Sequence, residues 1–263
     1  MSRNCKTPFL FVLMVLLGAC GTTSRVSMQE SDEVAGRRFL DFAGYRWEVK
    51  QRDYRTGPGD NFWSDSTASV WKDTAGVHLR LRYENGRWCC AAIFSQKKGW
   101  GYGTYRFKVK GRYDQMDKNI VIGLFTYEYK GERKTPQENE IDMELSRWGD
   151  EHQKYNTQYG FQYRKANSMR NLIDYHYYKA DLSKSDETEH VFRWKRNHIE
   201  FWSYQWFLNK KKQLTKYQIR DKRVPNPGKE GVHMNIWLRK GFHPVDKEPL
   251  EIILTDFSFI PED

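Results

Sequence analysis

The sequence predicts an all-β fold of two packed antiparallel sheets, and three observations carry that prediction. Short segments alternating apolar and polar residues recur along the chain, as strands with one face on a core and one toward water must. Turn pairs such as Asn85-Gly86 fall between them, where a tight hairpin needs residues that tolerate positive φ. No segment carries convincing helical periodicity; Ser168 to Tyr178 is the one stretch compatible with a helix.

The earliest elements precede the fold. Arg3 and Lys6 form a short basic region, followed by an uncharged apolar run from Phe9 to Leu17. That run is too short to span a bilayer comfortably but suits the core of an export signal. It ends in Leu17-Gly18-Ala19-Cys20, which resembles a bacterial lipobox. The resemblance implies a lipoprotein signal over 1–19 and a lipidated Cys20 as the first mature residue, anchoring the protein without a spanning helix. The competing possibility is an ordinary secretory signal with Cys20 incidental. The next residues, 20–37, are mostly small and polar and read as a tether, with the folded domain expected over 38–263.

Within that domain, Val77 to Tyr83 alternates, Asn85-Gly86 turns, and Trp88 to Phe94 returns: a hairpin. Tyr105 to Lys110 alternates with equal clarity, and Ile120 to Tyr127 is a more continuous apolar run. Glu140 to Leu145 alternates, and Tyr155 to Tyr163 is rich in Tyr and Gln. Two further strands are expected between His190 and Trp206, then Val232 to Leu238 and Ile252 to Phe259. No internal repeat is visible.

One of these segments calls for a chemical explanation. In Glu140-Ile141-Asp142-Met143-Glu144 the carboxylates occupy every second position, so a strand places all three on one face and Ile141, Met143 and Leu145 on the other. Like charges along a strand repel, and folding alone gives no reason for the row. Four strand residues separate the Cα atoms of Glu140 and Glu144 by roughly 13 Å. Side chains leaning about 3.5 Å toward each other leave the carboxyl groups about 6 Å apart. Paired carboxylates at roughly 5–10 Å are what glycosidic bond cleavage uses. Asp142, between them, is expected to hold up the pKa of the glutamic acid that must stay protonated. A solvated acidic face or a cation site remains the alternative on these residues alone.

Composition bounds the partners. Aromatic residues make up 16 % of the 263-residue chain, which argues against disorder, and any rings beyond what a core needs suit a site that stacks sugar rings. The formal net charge is +10, or +8 once Arg3 and Lys6 leave with the leader. The basic clusters Lys210-Lys211-Lys212 and Lys216 to Arg223 suit either an anionic polymer or a solvated loop. Nucleic acid is a poor match, because no binding motif for it is visible. Outside the leader and Cys20, the cysteines are Cys89 and Cys90 alone. Adjacent strand residues face opposite ways, so both are expected as buried thiols. No metal-ligand spacing of Cys or His appears.

Taken together, the motifs resemble glycoside hydrolase family 16, retaining β-glycanases. Asn139-Glu140-Ile141-Asp142-Met143-Glu144-Leu145 fits the signature Glu-x-Asp-x-Glu. Gly101 to Phe107, Gly123-Leu124-Phe125, His190 to Trp194 with Ile199 to Trp202, Met234 to Leu238 and Asp256 to Phe259 follow in the family order, over roughly Phe39 to Pro261. The resemblance implies a curved β-jelly roll with an open substrate cleft on its concave sheet. It implies Glu140 as nucleophile, Glu144 as general acid and base, and Asp142 as the assisting carboxylate. It also points to Trp148, Gln158, Tyr159, Asn235, Trp237 and Trp63 as substrate contacts, with core packing equally open for Trp148 and a structural plug for Trp63. The one-residue spacer after Asp142 matches the branch without a β-bulge, lichenase-like enzymes and xyloglucan transglycosylases among them.

The expectation is an endo-acting retaining β-glycosidase of the bacterial cell envelope, working as a monomer on a β-linked polysaccharide, anionic ones included. Within the class, a transglycosylase differs only in the acceptor that takes the sugar from Glu140. Outside it, a non-catalytic glycan-binding lipoprotein would keep the cleft but has no need of three repelling carboxylates. No cofactor is required; the resemblance leaves room for a structural calcium, with no ligand set identifiable. Departures from the family pattern leave the polymer open: Lys195 to His198 and then Ser203 to Trp206 stand where many members carry a short Asp-Gly turn, and the basic run through Lys216 and Arg223 is also atypical.

Overall fold

Alternation decides which face of a strand meets the core wherever its other face is solvated, and the computed structural model, which describes residues 36–129, 139–164 and 171–262, holds seventeen strands. In chain order they are β1 (Arg38–Phe42), β2 (Tyr45–Val49), β3 (Arg52–Thr56), β4 (Asn61–Trp63), β5 (Val70–Lys72) and β6 (Val77–Glu84). Then come β7 (Arg87–Ser95), β8 (Gly103–Lys110), β9 (Ile120–Tyr127), β10 (Ile141–Ser146), β11 (Thr157–Arg164) and β12 (Asn171–Tyr178). The last five are β13 (Glu187–Lys195), β14 (His198–Phe207), β15 (Lys210–Arg220), β16 (Gly231–Leu238) and β17 (Leu250–Pro261). The leader, Cys20 and nearly all of the tether lie outside the described residues.

Two layers result. One runs β1-β2-β7-β16-β9-β10-β11-β12 and the other β5-β6-β17-β8-β13-β14-β15. The β6–β7 hairpin crosses between them, turning at Asn85, whose φ is 50°, and Gly86. Every pairing is antiparallel except the short β4–β7 contact. The ladder is continuous and curved nearly into a barrel, a jelly-roll sandwich.

The core lies between the layers. On β8, Tyr105, Phe107 and Val109 are buried while Thr104, Arg106 and Lys108 are partly exposed, the alternation read from the sequence. Tyr105 stacks on Phe192 of β13 at 4.5 Å, and Trp47 of β2 meets Phe257 of β17 edge-on at 5.4 Å. Burying a large side chain of this kind is worth about 1.5–3 kcal/mol, so such aromatic contacts tie the layers together. Cys89 and Cys90 are both buried, free thiols.

Two segments differ from the sequence reading. Of the stretch Ser168 to Tyr178, compatible with a helix, residues 168–170 lie outside the described residues and 171–178 form β12, because pairing with β11 satisfies a backbone that periodicity alone left undecided. The basic run 210–220, read as a surface cluster or loop, is β15, the outer strand of the second layer. Lysines suit an outer strand, since their charge discourages another chain from adding to its open edge.

Candidate active site

The acidic row sits where alternation puts it. Ile141, Met143 and Leu145 of β10 are fully buried, and Asp142 and Glu144 point to the opposite face of the first layer. Glu140 immediately precedes the strand and lines a cavity of about 460 Å³ on that face. Its position is set by Asn139, whose φ of 51° lies in the left-handed region that Asn tolerates better than most residues. The Asn139 amide donates to Glu128 at 2.7 Å, and its carbonyl accepts from the Thr126 hydroxyl at 2.9 Å.

Neighbouring strands supply the partners. Gln158 and Gln162 on β11 share a face, and their amides donate to Glu144 at 2.6 Å and to Asp142 at 3.3 Å. Asp142 stands opposite Gly160 on one side and Phe125 on the other. Gly123 stands opposite both Glu144 on β10 and Asn235 on β16. A Cβ at Gly123 would lie 2.6 Å from the Asn235 Oδ1, which accepts the Gly123 N–H at 3.0 Å. Glycine is therefore what lets Asn235 sit beside the acidic row.

Burial dominates the electrostatics. Asp142 is 2 % exposed, and loss of solvent pushes its carboxyl well above the usual range, with Glu140 and Glu144 adding to the shift and Gln162 opposing it. Burial also raises Glu144, to about 7, against the Gln158 hydrogen bond. The sequence predicts that the charge on Asp142 holds up a neighbouring glutamate. Instead Asp142 is itself driven toward its neutral form, and desolvation raises Glu144.

Trp148 follows the row at a φ of 54° and meets Trp237 of β16 edge-on at 5.9 Å. Its backbone N–H is held by the Ser146 hydroxyl at 2.9 Å. Trp148 is half-buried and Trp237 buried. Asn235 and Gln162 line the cavity together with Glu140. Two expected substrate contacts are overturned. Tyr159 faces away from the cleft: it is fully buried between the layers, donates to the Ser203 hydroxyl at 2.6 Å and stacks on Phe201 at 4.8 Å. Adjacent strand residues cannot share a face, so Gln158 in the cleft puts Tyr159 in the core. Trp63 is 2 % exposed, with the Lys50 ammonium 3.8 Å above its ring, which makes it the plug and not a sugar platform.

Several residues of this face escaped the sequence reading. His233 of β16 is stacked between Phe94 of β7 at 5.5 Å and Phe125 of β9 at 5.2 Å, forming an aromatic row on one side of Asp142. Burial and the charges of Lys98 and Lys50 lower the His233 pKa to about 3, so the ring is neutral. On the other side, Tyr175 and Tyr177 of β12 meet edge-on at 5.8 Å. Burial and then the three carboxylates raise the Tyr175 pKa. Their only signal in the sequence is strand parity, which becomes informative once register is known. Among the described residues, no group of three or more His, Cys, Asp or Glu is placed to hold a metal ion, so the calcium expectation gains no site there.

No family model and no curated protein matches the sequence. Solved structures do. A Bacillus licheniformis beta-glucanase is similar with a TM-score of 0.58 and 20 % identity, covering 88 % of this chain and 100 % of that chain. A Bacteroides ovatus mixed linkage glucan protein of family 16, solved with a product, gives 0.60 and 12 % over 84 % and 97 %. The kappa-carrageenase of Pseudoalteromonas carrageenovora, in complex with a kappa-carrageenan oligosaccharide, gives 0.55 and 12 % over 89 % and 100 %. The chain has the family 16 fold.

Proposed function

We propose that this chain is an endo-acting retaining β-glycosidase that hydrolyses a polysaccharide by double displacement. The observation that carries this reading is the column Glu140, Asp142, Glu144 on the face opposite the core, with aromatic rings to either side. Rings on both sides let a sugar chain continue past the carboxylates in either direction, which suits cleavage within a polymer. Glu140 attacks the anomeric carbon as the bond to the leaving oxygen breaks, and Glu144 gives its proton to that oxygen. Glu144, now a carboxylate, takes a proton from water, whose oxygen attacks the same carbon and releases Glu140. Two inversions leave the anomeric configuration retained. Burial that raises Glu144 to about 7 keeps a useful fraction of it protonated near neutral pH. Asp142, pushed toward its neutral form, is suited to donate a hydrogen bond to the nucleophile. Asn235 and Gln162 orient the sugar beside Glu140.

Product release should be followed on β-glucans, xyloglucan and galactans, with the anomer of the first product read by NMR, beside Glu140→Gln and Glu144→Gln. Retention, with turnover lost in both variants, is the expected outcome. Inversion, or turnover that survives Glu140→Gln, sinks the assignment. Sugar-terminated products in place of water-terminated ones identify a transglycosylase. Tight binding without turnover identifies a glycan-binding protein. The same proposal includes a lipid on Cys20 that holds the enzyme in the bacterial envelope: fatty-acid labelling lost in Cys20→Ser supports it, and labelling that persists removes it.

A further inference from the structure

We propose that the cleft wall beside Glu140 is an anion-binding subsite in which Lys50 receives a negatively charged substituent, a sulfate ester or a carboxylate, on the glycan. This rests on the catalytic reading for its place in the cleft, and it names the substrate class that reading leaves open.

The 460 Å³ cavity is lined by Glu140, Gln162 and Asn235 on one side and by Lys50, Gly57 and Pro58 on another, with Phe94, His233 and Phe125 among its walls. Lys50 is half-buried there. Its ammonium donates to the Gly57 carbonyl at 2.6 Å and lies over the Trp63 ring at 3.8 Å. No carboxylate of the described residues comes within ion-pair distance of it. An ammonium has three N–H donors, and one is used on Gly57.

A half-buried cation without a counterion among the described residues carries a desolvation cost that an arriving anion would offset. Burial, and then Arg52, lower the Lys50 pKa to about 8, which still leaves it charged at neutral pH. Lys98, on the other side of the aromatic row, lies 5.5 Å from the Phe94 ring centre and is also lowered by burial. Both cations depress His233 between them, so their fields meet in this part of the cleft. The stacked Phe94, His233 and Phe125 supply an apolar floor for the sugar ring, and Lys50 supplies the charge at its rim. A hydroxyl-only sugar would leave that ammonium without its complement, whereas a sulfate or carboxylate oxygen would satisfy it.

The structural alternative is that Lys50 merely pins the 57–58 turn onto Trp63. The two readings separate on charge. Lys50→Met keeps the length and the contact with Trp63 but removes the ammonium; Lys50→Arg restores a cation. The full chain is assayed on a sulfated galactan tetrasaccharide, its desulfated counterpart and a β-linked oligosaccharide bearing glucuronate. The readout is the ratio of kcat/KM on each charged substrate to that on the neutral one. Wild type should favour one charged substrate, which identifies the source of the anion, and Lys50→Met should cut that ratio about tenfold or more, with Lys50→Arg recovering much of it. A ratio unchanged in Lys50→Met, or a wild type that prefers the neutral sugar, overturns the subsite. If no substrate turns over, calorimetric binding of the same three sugars decides. Charge-selective binding lost in Lys50→Met keeps the subsite while the catalytic reading falls, and binding without charge selectivity removes it. Circular dichroism melts of each variant separate loss of fold from loss of recognition.

Discussion

The Gln158 amide donates a 2.6 Å hydrogen bond to the Glu144 carboxyl, across a β10–β11 pair in which the two residues stand directly opposite. That contact opposes the burial that raises Glu144, because an N–H donor stabilises the ionised form.

Gln158→Met removes the donor and retains the bulk. The Glu144 pKa then rises above its starting value of about 7. Since the acid must be protonated to act, activity falls as pH rises through that pKa, so the alkaline limb of the kcat/KM profile moves to higher pH in the variant. A limb that stays put or moves down shows that Glu144 is not the group being read.

Glu144→Gln tests the cost of burying the carboxylate. The group titrates near its ordinary 4.5 when unfolded and at about 7 when folded. The folded state therefore binds more protons between those values, and stability falls as pH rises through that window. The neutral amide escapes this loss. Denaturant melts should show the variant gaining on wild type by on the order of 3 kcal/mol at pH 8, with the gain gone at pH 4. A difference independent of pH would contradict the assignment.

Gly123→Ala places a methyl group 2.6 Å from the Asn235 Oδ1 and 3.2 Å from the Phe125 ring. Relieving that overlap costs about 1–3 kcal/mol, read by thermal melting. Displacing Asn235 from the cleft should lower kcat/KM about ten- to a hundredfold in the molecules that remain folded. Full activity would remove Asn235 from the site.

Tyr159→Phe deletes the hydroxyl that donates to Ser203, which Tyr178 and His190 also reach, at 2.7 Å each. Loss of one buried hydrogen bond should cost about 1–2 kcal/mol of stability, and kcat/KM per folded molecule should be retained. A selective rise in KM would return Tyr159 to the cleft.

The acidic row was legible in the sequence because alternation is a local property: Glu140, Asp142 and Glu144 share a face in any extended backbone. The same rule, applied to Gln158 and Tyr159, already forbade both from reaching substrate, and the structure puts Tyr159 in the core. Family order pointed to Asn235, which lines the cavity with Glu140, and to Trp237, which is buried against Trp148, whereas Trp63 could not be sorted between plug and platform until the Lys50 ammonium was seen above it. β12 was missed because its helical and extended readings differ only through its partner, β11.

The strands with clear alternation, the turn at Asn85-Gly86 and the parity of the carboxylates were all readable from the chain before it folded. Each depends on residues a few positions apart. The tertiary structure alone decided that Phe94, Phe125 and His233 stack into one row, that Gln158 and Gln162 cap the acids, and that Lys50 faces the same cavity as Glu140. It also decided the upward shift of the Asp142 and Glu144 pKa values, which burial drives. Register between distant strands and the removal of water are sums over the whole fold, and no window of the sequence contains them.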